Sequence, residues 1–179
     1  MAENLGSKDA VLIPSAEVDK MNVMPNREAR RFARSLWAID PQDEFNEQEI
    51  VDGTKRNYLT KQIEKGDIVE LLVGNGKIRM SWRNDSLVVC WGRKRNQFMV
   101  IGLNKIDDYS GIRGEMDPEV EWIKFGKNKN ECPIVLKGKS VAGVHGGLFF
   151  SRYQEELRMD LYSPNRVDFR KIGEPVIDA

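Results

Sequence analysis

Residues 68–103 read IVELLV GNG KIRMSWR NDS LVVCW GRKRN QFMVIGL, and the reading of this stretch decides the fold. The runs Ile68–Val73, Lys77–Arg83, Leu87–Trp91 and Gln97–Leu103 are short and rich in Val, Ile, Leu, Trp and Phe. Gly74-Asn75-Gly76, Asn84-Asp85-Ser86 and Gly92–Asn96 separate them with turn chemistry at hairpin lengths, so the four runs are expected to form an antiparallel meander. In the second run Ile78, Met80 and Trp82 alternate with Lys77, Arg79, Ser81 and Arg83, which gives one apolar face and one basic rail.

Downstream, a long acidic loop, Asn104–Pro118, precedes further strand candidates at Val120–Phe125, Pro133–Lys137, Val141–Phe150 and Leu157–Tyr162. Upstream the texture is helical. Ala29, Phe32, Ala33, Leu36 and Trp37 recur at the helical period after Pro25-Asn26, with Asn26 as a candidate cap, and Asp40-Pro41 ends the pattern. Asn46 with Glu49 resembles a capping box, and Ile50, Val51, Tyr58, Leu59 and Ile63 form a second, weaker stripe that ends at Lys65-Gly66. Gly53 interrupts it, at about 1 kcal/mol relative to Ala.

The expected fold is therefore α+β: an N-terminal arm (1–25), a helical hairpin (26–66), and a β-rich body (67–179). The body is a mainly antiparallel curled sheet or small open β-barrel, with helices at one end of a single compact unit. The arm is polar and aperiodic apart from Val11-Leu12-Ile13, an apolar patch stopped by Pro14 and suited to docking on a neighbour.

The 28 basic and 28 acidic residues cancel, but they come in blocks. Arg27–Arg34 holds four Arg against Glu28, and Asp40–Asp52 holds six acids and no base. Lys77–Arg95 holds six bases against Asp85, and Asp107–Glu121 holds six acids against Arg113. Blocks of this kind orient partners, including copies of the same chain. The neutral total argues against a dedicated nucleic-acid wrapper. Apolar runs of only a few residues cannot span a bilayer, and the start of the chain lacks a signal core, so a cytoplasmic protein, or a virion part assembled there, is expected.

Catalytic signals are absent from the pattern. The single histidine, His145, lies in Gly143-Val144-His145-Gly146-Gly147, whose flanks read as strand, so a glycine-relieved bend is expected in place of a phosphate loop. Cys90 and Cys132 are too few for a disulfide framework, have no metal-type spacing, and read as small hydrophobes. Asp107-Asp108 and Glu119/Glu121 read as solvated carboxylates. No cofactor or metal site, and no enzyme activity, is expected.

Arg27 and Arg30 stand near the start of a helix, where the macrodipole disfavours cations by about a few tenths of a kcal/mol. Helix stability alone would not select them. The candidate interaction residues are thus Val11, Leu12, Ile13, Arg27, Arg30, Arg31 and Arg34. The expected function is a structural or assembly protein that forms a homo-oligomer or docks among other subunits, such as a phage virion or head-to-tail connector component. A bland counterpart has the basic helix neutralised by the acidic segment 40–52 within one chain. The alternative function is an accessory nucleic-acid-binding protein using Lys77, Arg79, Arg83, Arg93, Lys94 and Arg95, and an inhibitor of a charged partner is a third class.

Overall fold

The structure is a computed structural model that describes residues 23–40, 45–54, 56–92, 97–106, 122–153 and 156–172. Helix α1 spans Asn26–Trp37. The strands that follow are β1 (Phe45–Val51), β2 (Tyr58–Ile63), β3 (Ile68–Val73), β4 (Gly76–Arg83), β5 (Ser86–Trp91) and β6 (Gln97–Gly102). After a short 3-10 turn at Leu103–Lys105 come β7 (Ile123–Gly126), β8 (Ile134–Val135), β9 (Gly146–Tyr153), β10 (Glu156–Tyr162) and β11 (Val167–Ile172).

These strands form two sheets, ordered β1-β11-β3-β4-β5-β6 and β2-β10-β9-β7-β8. All pairs are antiparallel except β7 with β8. Val69, Met80, Val89 and Phe169 of the first sheet and Leu59, Leu148, Met159 and Leu161 of the second belong to one buried cluster, so the sheets face each other across a common core. A second cluster lies on the opposite side of the first sheet. There Ala29, Phe32, Ala33 and Leu36 of α1 pack on Ile68, Val88, Cys90 and Ile172. The order of layers is helix, six-stranded sheet, five-stranded sheet.

Strands β3 to β6 realise the meander, each within a residue or so of the sequence reading. Strand β5, between β4 and the edge strand β6, is buried at all six positions because both its faces are covered: Leu87, Val89 and Trp91 turn to the second sheet, and Val88 and Cys90 to α1. An unbroken apolar run is what a strand covered on both faces requires.

The helical hairpin is corrected: α1 is the one α-helix among the described residues, and the segment read as its partner holds β1 and β2, in different sheets. Val51 pairs with Val167 of β11, and Leu59 and Ile63 pair with Leu161 and Leu157 of β10. The inward side chains are Leu59, Lys61 and Ile63, a period of two, with the Lys61 ammonium over the Phe169 ring. The doublets Ile50-Val51 and Tyr58-Leu59 fit either period, and pairing with distant strands chose. Gly53 ends β1 at φ +81°, where a Cβ would lie 2.2 Å from the Pro164 carbonyl oxygen. Glu49 serves no capping box; it pairs with Arg56 at 2.8 Å and with Lys61.

A single curled sheet or barrel with helices at one end is likewise replaced by two facing sheets with α1 on the outer face of one. The N-cap of α1 is Pro25, with no side-chain cap bond, and Asn26 is already helical. Residues 23–25, assigned to the arm, belong to the body: Met24 is buried and its N–H donates to Ser86 Oγ at 2.7 Å. Val141–His145, read as strand, is irregular with a bend at Gly143-Val144 before β9, and β11 was absent from the sequence reading.

Candidate functional site

Strand β4 alternates as its sequence requires, but its basic rail lies against α1 instead of facing open solvent. Arg79, predicted to be exposed, is 1% exposed. Its Nε donates to Glu70 Oε2 at 2.9 Å, and its Nη1 lies 2.6, 3.2 and 2.7 Å from the carbonyl oxygens of Leu36, Trp37 and Ile39. The guanidinium thus supplies donors that the last turn of α1 lacks and places a cation at the negative end of the helix. Glu70 is 2% exposed, and its other oxygen lies 3.5 Å from Arg170 Nη1. Arg79 is therefore a structural latch, removed from any direct contact with phosphate.

Its neighbours on the rail flank the helix. The Lys77 ammonium stands 4.9 Å above the Trp37 ring, and the exposed Arg83 guanidinium 4.3 Å above Phe32. Burial, with Arg79 next, pulls the Lys77 pKa below its ordinary value. Arg93, Lys94 and Arg95 lie outside the described residues, as do Val11, Leu12 and Ile13.

On α1 itself, Arg27, Arg30, Arg31 and Arg34 are all exposed. At 100° per residue they fall within one arc of about 100°, opposite the stripe of Ala29, Phe32, Ala33 and Leu36. None of the four has a carboxylate at ion-pair distance among the described residues. Two acids of segment 40–52, Glu49 and Asp52, make contacts away from α1. Glu49 pairs with Arg56 and Lys61, while Asp52 Oδ1 accepts from the Thr54 N–H and hydroxyl at 2.9 and 2.7 Å. Arg27 with Arg30 and Arg31, and Arg34 with Arg30 and Arg31, are i,i+3 or i,i+4 neighbours, so the cluster is self-repelling within its own helix. The basic helix and Arg83 of the basic strand, read separately from the sequence, meet on one face around α1.

A second feature is the edge strand β6. Its six residues carry no charge, Phe98, Met99, Val100 and Ile101 are half-buried, and among the described residues β6 pairs only with β5. The edges at the opposite side of the two sheets, β1 and β2, carry the Glu49–Arg56–Lys61 pairs and exposed Gln48, Thr60 and Gln62. Charges guard one side of the molecule; the β6 edge has none in the strand itself.

The glycine-rich segment is structural in its chemistry. His145 is 3% exposed; its Nδ1 accepts from the Ala142 N–H at 3.1 Å, so Nε2 carries the proton and donates to the Arg166 carbonyl at 2.9 Å. Burial holds its pKa below the ordinary value. An open depression of about 400 Å³ beside it is lined by Gly74, Ser140, Asn165, Arg166 and Asp168, but neither ring nitrogen is left to act there. Close approach explains Gly126, where a Cβ would lie 2.3 Å from the Gly143 oxygen. Burial pushes the Cys90 thiol up to about 12 and raises Cys132. Among the described residues no group of three His, Cys, Asp or Glu could hold a metal, and no helix is long and apolar enough to cross a membrane.

Sequence reasoning missed the latch, although the signal was present: about the Gly74-Asn75-Gly76 turn, hairpin register sets Glu70 opposite Arg79. Comparison with known protein families, curated proteins and solved structures finds no match.

Proposed function

We propose that this chain is a non-enzymatic structural protein that oligomerises or docks into a larger complex, and that β6 is the strand through which it does so. The carrying observation is the uncharged, half-buried β6 edge beside a molecule whose opposite edges are guarded by ion pairs. An edge strand offers a row of N–H and C=O groups that an incoming strand completes; Phe98 and Val100 pack toward α1 and Met99 and Ile101 toward the common core, each still half-exposed. The commitment of His145 to two backbone bonds and the depressed acidity of both thiols support a non-enzymatic reading.

Paired proline variants test it. Successive residues of an antiparallel strand direct their N–H groups to opposite sides, so of Met99→Pro and Val100→Pro one removes a donor to β5 and the other a donor on the free side. The expected result is that one variant loses stability, while the other melts cooperatively yet loses self-association in light scattering. A fold-preserving variant that associates like the parent chain refutes the assignment to β6. A parent chain that stays monomeric at its highest attainable concentration refutes self-assembly.

A further inference from the structure

Beyond assembly through β6, we infer that the outward face of α1 binds a nucleic-acid duplex by its phosphates, without reading bases. Arg27, Arg30, Arg31 and Arg34 project from one arc of the helix, all exposed and all without a carboxylate partner among the described residues. Arg27 to Arg34 spans eight residues, about 10 Å of helix axis. Arg83, exposed on β4 beside Phe32, extends the cationic face past the helix flank.

Three observations select the ligand. First, the cations of α1 are all arginine, whose planar fork donates two parallel hydrogen bonds to a phosphate. Second, the outward pole of the helix is almost wholly cationic: its margins carry Ser35 and Glu28 on one side and half-buried Trp37, already under the Lys77 ammonium, on the other, so a protein partner would find little apolar surface to bury there. Third, the aromatic rings bordering the face already carry cations, Arg30 above Phe98 at 5.8 Å, Arg83 above Phe32 and Lys77 above Trp37. Single-strand binding relies on open rings for stacking bases, so a duplex, held by its backbone, suits the face better. This replaces the basic strand as the candidate contact, since Arg79 is enclosed.

The test is fluorescence anisotropy with a labelled random-sequence DNA duplex, the full-length chain, and salt varied from about 50 to 200 mM. Four phosphate contacts imply a log–log salt slope of about −3.6 from these arginines, hence about 10²-fold weaker binding across that range. The variant carrying Arg27→Gln, Arg30→Gln, Arg31→Gln and Arg34→Gln should keep the parent circular dichroism spectrum and melting transition, and should flatten the slope by about 3 to 4. Arg83→Gln alone should flatten it by about 1. Equal affinity for unrelated duplex sequences supports backbone recognition. No binding by the parent chain at the lowest salt overturns the inference, as does a variant that binds with the parent slope. Tighter binding of a single strand of equal length overturns the choice of duplex, and full displacement by polyglutamate at equal charge concentration transfers the face to an acidic protein partner.

Discussion

Replacing Arg79 by Leu should bring the protein close to unfolding, although the substitution looks like one more apolar residue in a buried strand. Arg79 is 1% exposed and joins three things: the Glu70 carboxylate, the Cys90-bearing β5 face, and the carbonyls of Leu36, Trp37 and Ile39. Removing one member of a buried ion pair costs about 3–5 kcal/mol, because the remaining charge stays buried. Arg170 at 3.5 Å still compensates part of Glu70, which favours the lower end. The helix carbonyls work the other way, each losing a donor worth about 1 kcal/mol net. With about 3 kcal/mol for the stranded Glu70 and about 1 kcal/mol for each of the three carbonyls, a loss of about 6 kcal/mol results, against a total stability of about 5–15 kcal/mol for a domain of this kind. Urea unfolding followed by circular dichroism measures it. The double variant Glu70→Leu with Arg79→Leu should recover about half, since it removes the stranded charge but leaves the carbonyls without the guanidinium donor. Arg79→Lys should cost about 2 kcal/mol, because one ammonium cannot span both the carboxylate and the helix end. A single variant within about 1 kcal/mol of the parent, or a double variant no more stable than the single, would refute the latch.

Gly53→Ala should cost at least about 2 kcal/mol, since φ is +81° and the new Cβ would meet the Pro164 carbonyl oxygen at 2.2 Å; an unchanged urea midpoint contradicts this. His145 is held below its ordinary pKa of 6.5 chiefly by burial, so the unfolded chain takes up a proton first as the pH falls. Its contribution is therefore complete above about pH 6.5 and is lost as the pH drops from there through the folded value, and His145→Gln should flatten stability against pH in that window. With the Cys90 thiol pushed up to about 12 and buried, and Cys132 also raised, neither cysteine should react quickly with a thiol reagent at pH 8 in the native protein; fast labelling of either without denaturant contradicts the packing.

The sequence alone determined the parts of this protein that local pattern controls. The stripe of Ala29, Phe32, Ala33 and Leu36 makes α1, and the hairpin turns between Val73 and Gln97 fix a four-strand meander with its register. The basic character of Arg27–Arg34 was equally legible, because residues opposite an apolar stripe must face outward. Tertiary structure decided the rest. Segment 46–63 has doublets that fit two periods, and only pairing with β10 and β11, about a hundred residues later, made it strands. The β4 rail satisfied the alternation of an amphipathic strand, but alternation states only that two faces differ. Which face meets water depends on what packs there, and α1 covered it, turning Arg79 from a surface cation into a buried helix cap while leaving Arg83 beside the four arginines. A charge pattern is local, whereas its exposure is set by every layer packed above it.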